Sequence, residues 1–536
     1  MTLDTPRADA PATGPATATD PLTSTTVIPG DSTGLVSTGL VAPAAGRRRV
    51  PDRRPLGGLG IGWRPELAEF IRARADRLGF VEVVAEAIHR RPDGARHRHC
   101  PEPEAPPGLD RVALPTAVHG VRLSLGGTTP LEPGRVRHLA DVASRFGASI
   151  VSEHVAFVRA GGLEAGHLLP VPRTRDALAV LTRNTRTVMA ELDAPFALEH
   201  VAALAAWPED EFGEADFLAE LLERTGALLL LDLANLHAHA RNHGTDPRAF
   251  LDRLPLERVA YTHIAGGVEQ GGLYHDTHLH PVRPPVVDLV AELGARCAKL
   301  PPIMLERDGR YPTARELDAE LATIARHVGP DPTGGRGSGR APAPRPRPRR
   351  SVLVGTVPTR PAASGRPVGD RMATLDPTGV PASLTQRQEA LVRALVADGP
   401  GPAGMAADRV AATRDALLRK RTAEVAAVWP ALSTTGGFAD RFAAFASGRV
   451  PAGPWADGLA FAGAVLADLG DDARAELALA RLRRRPGALR LVAGARLGWH
   501  IAVYIPTRGA RVFSLVLPGR PASAGRPARH DDPRET

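Results

Sequence analysis

Short apolar runs alternate with amphipathic stretches from about residue 55 to 329. The runs are GLGIGW (58–63), FVEVVAE (80–86), TAVHGVRLSL (116–125), SIVSEHVAF (149–157), PFALEHVA (195–202), ALLLLDLAN (227–235), RVAYTHIAG (258–266) and PIMLERD (302–308). Between most of them, as in RVRHLADVASRFG, TRDALAVLTRNTRTVMAEL and EADFLAELLERTG, apolar positions recur at three and four, the period of a helix with one buried stripe. Near-continuous apolar strands are buried on both faces, and helical crossovers impose parallel pairing. Eight such units predict an α/β fold of the (β/α)8 TIM-barrel type over 55–329. The unit after FVEVVAE departs from the pattern, because HRRPDGARHRHCPEPEAPPG reads as loop.

A second block, 382–518, begins with helical patterns such as LTQRQEALVRALVADG and RVAATRDALLRKRTAEVAAVWPAL. It closes on three strand-like runs, ALRLVAGA, WHIAVYIP and RVFSLVLPG, so a smaller, mostly helical domain with a few C-terminal strands is expected. Residues 1–54 and 519–536 lack periodicity and read as disordered tails, and 330–381 is a Pro/Gly/Arg-rich linker.

Composition changes the picture in three places. The net charge of +8 suggests a nucleic-acid partner, but 331–380 alone holds nine arginines against three aspartates. The charge therefore sits in the tether rather than on a folded surface, which argues against nucleic acid. Two cysteines, Cys100 and Cys297, give neither a disulfide framework nor a Cys-x-x-Cys metal site. No apolar run spans a bilayer and no basic-then-apolar leader opens the chain, so a cytoplasmic protein without membrane contact is expected.

The chemistry lies at the strand ends, where barrel active sites form. There the chain places Glu86, His119, Glu153 with His154, Glu199 with His200, Asp232 with Asn235, His263, and Glu306 with Asp308. One strand-end acid is ordinarily a helix cap or an ion pair, and His89, His138 and His167 taken singly read as surface or core residues. The run HRHC at 97–100 reads as a polar loop. Seven successive strands with an acid or imidazole are another matter, since unpartnered buried charges are costly and a cation cluster relieves them. Fifteen of the eighteen histidines lie between His89 and His280. The stretch YHDTHLHPV (274–282) reads as a loop after the strand ending at His263. In extended chain Asp276 and His278 point the same way, towards that rim, and His275 points away. Carboxylates and imidazoles bind iron, zinc or manganese, and the ligand types alone leave the three open.

Taken together, GIGW, EVVAE, VHGVRLSLGG, VSEHVAF, ALEHVA, LLLDLANLHAHARNHG, HIAGG, HDTH and LERD resemble the multinuclear non-heme iron-dependent oxidative enzymes. This is a long-uncharacterised family of xylose-isomerase-like barrels. It includes the catalytic subunit that forms oxazolone and thioamide groups in methanobactin. The resemblance implies two or three irons held by Glu86, His119, Glu153, Glu199, Asp232, Asn235, His243, His263, Asp276, His278 and Glu306, with His154, His200 and His237 as additional positions. It implies oxidation by dioxygen of cysteines in a ribosomally made precursor peptide, or of a small thiol. The chain departs from the family pattern at Ala87, His200 and Ala234, where asparagine is usual. It departs also at His237, where an aromatic residue is usual, and at Glu153, often aspartate. The same skeleton resembles xylose isomerase and the endonuclease acting at abasic sites, and with zinc or manganese it implies hydrolysis or isomerisation. A third reading is a non-catalytic metal- or peptide-binding protein. The second block resembles a helical domain found beside such barrels, which implies a peptide-presenting partner supplied in cis by 382–518.

Overall fold

The computed structural model of the chain describes residues 53–88, 108–109, 112–328, 382–483, 489–493, 499–505 and 509–515. The expected linker, the C-terminal tail, HRHC, and all but the last two residues of the N-terminal tail lie outside them. The eight apolar runs form eight strands: β1 (Leu59–Gly62), β2 (Phe80–Val84), β3 (Thr116–His119), β4 (Ile150–His154), β5 (Phe196–Glu199), β6 (Leu228–Asp232), β7 (Val259–Ile264) and β8 (Ile303–Leu305). Each pairs in parallel with its neighbours in chain order, and β8 pairs with β1 to close the barrel.

Strand alternation stacks the interior in two layers. The lower is an apolar floor of Phe80, Ala117, Ile150, Ala197, Leu230, Tyr261 and Met304, one from each of β2 to β8. Two residues further along each strand the chain turns polar: Glu82, His119, Ser152, Glu199, Asp232, His263 and Glu306, all buried. Strand β1 supplies glycine instead, and a Cβ on Gly60 would fall 2.6 Å from the Phe80 ring. Outside the barrel, helices such as Pro133–Phe146, Arg175–Ala190, Glu214–Thr225 and Pro284–Arg296 cover the strands with their apolar faces. Among the described residues no α-helix follows β2; a single 3-10 turn, Ala85–Ala87, stands there.

Two antiparallel hairpins rise from the C-terminal ends of β4 and β7. The first pairs Ala156–Ala160 with Leu163–Pro170, and the second pairs Gly266–Gln270 with Leu273–His280. Each turns on a Gly-Gly pair with positive φ, Gly161 and Gly162 at 57° and 74°, Gly271 and Gly272 at 61° and 75°, the conformation a two-residue hairpin turn demands. The stretch expected as a loop at 274–282 is therefore mostly strand, and its ladder fixes which side chains face the barrel mouth.

The second block folds as helices Ala382–Val396, Ala407–Val428, Pro430–Ser433, Phe438–Ala446, Pro454–Ala464 and Asp471–Arg483, then an antiparallel sheet of Leu489–Ala493, Trp499–Ile505 and Gly509–Leu515. Its first helices join the outer core of the barrel, where Leu391, Val392, Val410 and Leu417 share one buried cluster with Leu125, Phe157 and Leu169. Gln388, wholly buried, donates to Gly126 O (2.7 Å) and accepts from Thr128 N (2.9 Å). Arg387 pairs with Glu209. Further along, Trp429, Phe438, Phe442 and Phe461 form a separate aromatic core. No helix among the described residues is long and apolar enough to cross a membrane.

Candidate metal centre

The upper layer of the barrel, the second hairpin, and His154 and Asp308 just beyond the layer bring nine metal-ligating side chains together as four overlapping groups. These are His119, His154 and Glu199; Glu199, Asp232 and His263; Asp232, Asp276 and His278; and His278, Glu306 and Asp308. Within each, one donor atom per residue lies within 4.8 Å of the others. Glu199, Asp232 and His278 each belong to two groups, so the donors form a continuous run across the mouth.

Distances show how tightly the run is drawn. Glu199 Oε2 is 3.5 Å from His119 Nε2 and 3.3 Å from His154 Nε2, and its Oε1 is 3.5 Å from His263 Nδ1. Glu306 Oε2 is 3.4 Å from His263 Nδ1 and 3.3 Å from His278 Nδ1. His278 Nε2 lies 2.6 Å from Asp276 Oδ2. The His278 backbone has φ of 56°, a left-handed conformation rare outside glycine. Asp232 has two tasks: its Oδ1 caps helix Leu233–His243 by accepting from Ala234 N (2.6 Å) and Asn235 N (2.9 Å), while Oδ2 faces the groups.

Four buried donor atoms here have no hydrogen-bond partner: Glu199 Oε2, Asp232 Oδ2, His263 Nδ1 and Asp276 Oδ1. Unpartnered buried polar atoms are expensive, and four at one place fit a cation. The electrostatics follow from the crowding. Burial works against a charged Glu199, yet His154 and His263 pull its carboxyl down to about 2. Burial, with Asp276 and Glu199 nearby, pushes Asp232 up to about 8.

Of the residues expected from sequence, His119, Glu199, Asp232, His263, Asp276, His278 and Glu306 lie in the groups, as does His154 among the additional positions. Glu86 and Glu153 lie outside them. Glu86 Oε1 accepts from Val121 N (3.1 Å), and burial beside Glu153 raises its carboxyl to about 7. Glu153 accepts from Leu123 N (2.9 Å) and His154 N (2.9 Å), tying down the chain that leaves β3. Asn235 donates from Nδ2 to His200 O (3.0 Å). His243 Nε2 lies 2.8 Å from Ala203 O, and its ring packs tilted against His239. His237 packs edge-on against Tyr274. His200 is buried with both ring nitrogens unpartnered, in the wall of a small cavity shared with Arg173, Glu214 and His239.

Two residues stand outside the ligand set that the resemblance implies: Asp308, read at a strand end but not among the ligands, and Glu82, which the sequence reading passed over. Asp308 completes the outermost set and pairs with Arg64, which also stands 3.6 Å from Glu306 Oε1. Glu82, 1 % exposed, lies against His263, whose Nε2 is 2.9 Å from its Oε2. Its signal was present: Glu82 stands two positions after the apolar Phe80, as His119 does after Ala117.

The family described as RiPP precursor modification enzyme MbnB/TglH/ChrH matches residues 58–328. The chain belongs to that family. A UPF0276 protein of Streptomyces avermitilis is 43% identical over 403 residues, covering 70% of this chain and 80% of that protein. One from Caulobacter vibrioides is 34% identical over 269 residues, 50% of this chain and 93% of its own. Residues 385–467 match the SCO6045-like C-terminal domain. Among solved structures, endonuclease IV from Thermus thermophilus is 17% identical with a TM-score of 0.34, covering 50% of this chain and 100% of that one. For D-psicose 3-epimerase from Clostridium cellulolyticum the values are 9%, 0.32, 51% and 96%. The family match spans all eight barrel strands and every residue of the four groups.

Proposed function

We propose that the chain is a multinuclear iron-dependent oxidative enzyme that modifies cysteine residues of a ribosomally made peptide. The observation that supports a metal most directly is the set of four orphaned buried donors at the barrel mouth. His119, His154, Glu199, Asp232, His263, Asp276, His278, Glu306 and Asp308 would hold it. Carboxylates and imidazoles without thiolate suit iron, manganese or zinc, and the resemblance of the strand-end motifs to non-heme iron enzymes favours iron. Donor groups that overlap at Glu199 and Asp232 favour more than one ion. When bound, iron supplies the redox chemistry with dioxygen that oxidation of a thiol requires.

The chain's own residues do the rest. The apolar floor closes the barrel below the donors and keeps water from that side. Arg64 holds the outer carboxylates Glu306 and Asp308 in place. Helix Ala407–Val428 touches both sides of the mouth: Lys420 Nζ is 3.4 Å from Gly166 O on the first hairpin. Arg409 donates to Asn242 O (3.2 Å), and the Asn242 side chain holds the backbone of Tyr274 on the second. That placement supports a peptide-presenting role for the second block in cis. Leu489–Ala493 and Gly509–Leu515 each pair only with Trp499–Ile505 among the described residues, leaving an edge on which an extended peptide can add as a strand.

Protein purified without oxygen should carry about two or three irons per chain, and should oxidise a short cysteine-containing peptide when oxygen is admitted. Zinc or manganese as the only active metal overturns the oxidative reading, and no metal after anaerobic iron reconstitution overturns the metal centre. Truncation after residue 484 should abolish binding of that peptide; unchanged binding sinks the presenting role.

A further inference from the structure

We propose that Glu82 is a positioning residue that sets, through one hydrogen-bond chain, which ring nitrogen each of two metal-binding histidines turns to the centre. The inference rests on the metal-centre reading above and assigns a role to residues outside the donor groups. Five buried side chains from four strands are involved. Glu82 Oε2 is 2.9 Å from His263 Nε2 and 2.7 Å from the Tyr261 hydroxyl. The Tyr261 oxygen is 2.7 Å from Ser152 Oγ, and Ser152 Oγ is 2.8 Å from His119 Nδ1. All are 3 % exposed or less.

An ionised carboxylate only accepts hydrogen bonds, whereas every other member can donate. Its place between His263 and Tyr261, as the acceptor of both, therefore fixes the direction of all the links. Glu82 takes the hydroxyl proton of Tyr261 and the Nε2 proton of His263. The Tyr261 oxygen, having given its proton downward, accepts from Ser152. Were Ser152 to donate to His119 instead, two lone pairs would face each other across the 2.7 Å separation from Tyr261. Ser152 thus accepts from Nδ1–H of His119. The two imidazoles come out as opposite tautomers, with the lone pair on Nδ1 in His263 and on Nε2 in His119. Those are the nitrogens that approach Glu199 Oε1 and Oε2, each at 3.5 Å. One carboxylate outside the donor groups thereby aims two ligands at the two oxygens of a third.

The test is metal affinity rather than turnover. The full-length chain, metal-free and kept anaerobic, is titrated with iron(II) against a competing chelator, and bound iron is counted. Partners of this kind are worth about 10–100-fold in metal affinity. Glu82→Gln, whose amide can donate to Tyr261 and reverse the chain, should weaken binding within that range. Ser152→Ala should weaken it by a smaller factor, because only His119 loses its partner, and should leave thermal unfolding of the metal-free protein near wild type. If Glu82→Gln does not fold, Ser152→Ala and Tyr261→Phe decide. Wild-type stoichiometry and affinity in the variants that fold would overturn the proposal while leaving the metal centre standing. Losses of affinity matched by equal destabilisation of the metal-free protein would reduce these residues to structural ones and overturn it as well. A wild-type chain that binds no iron overturns both.

Discussion

The barrel interior and the C-terminal core are both fully buried, yet they are built on opposite terms. Around Trp429, Phe442 and Phe461 the chain packs ring against ring, Phe442 and Phe461 meeting edge to face at 5.3 Å, an arrangement that stabilises by area and shape. Above the floor of the barrel the same degree of burial is given to imidazoles and carboxylates, several of them with donor atoms that make no hydrogen bond. A core made for stability alone would not keep these groups, since buried ion pairs rarely exceed well-packed hydrocarbon in stability. The contrast locates function: one core holds the chain together, and the other holds charge in readiness for a ligand.

Substitutions can break the contrast from either side. The largest effect is expected from His263→Ala, which removes the imidazole shared between Glu199 and Glu306; stoichiometric metal and activity should disappear together, as read by elemental analysis and peptide turnover. Trp429→Ala should do the reverse, costing about 3–5 kcal/mol in urea unfolding with metal content unchanged. Gln388→Ala strands Gly126 O and Thr128 N. It should cost about 1–3 kcal/mol, seen as faster hydrogen exchange at the Thr128 amide. A further effect is a matter of pH. Burial lifts Glu214 from its ordinary 4.5 to about 7, so the folded chain holds a proton that the unfolded chain releases. Its contribution to stability is complete below pH 4.5 and is lost as the pH rises to about 7. Glu214→Gln should flatten that part of the stability profile, measured as the urea midpoint against pH.

The barrel was legible because its strands are buried on both faces and its helices on one, so the two periods separate cleanly in the sequence. Much of the donor layer was legible for the same reason: His119, Glu199, Asp232, His263 and Glu306 end runs that point into the barrel. Glu86 and Glu153 also end such runs, but Glu153 follows Ser152 and takes the opposite face of its strand. Nearness to a strand end was a weaker guide than parity with the apolar floor, which would have picked Glu82 and Ser152 instead. The hairpins were missed because Ala156–Ala160 merges into the apolar run of β4 and Gly266–Gln270 and Leu273–His280 are too polar to read as apolar runs, although the Gly-Gly pairs at 161–162 and 271–272 mark both turns. Nothing local in the second block tells that Gln388 reaches back to Gly126, since that contact spans 262 positions.

That long reach changes what dilution can do. Two separate polypeptides joined by the same amide clamp would come apart as their concentration fell, and the hairpin beside the mouth would lose its support. On a single chain the two halves stay joined, so they meet at an effective concentration that dilution does not change. How often the mouth is framed then depends on the strength of the clamp itself and not on how much protein the cell makes.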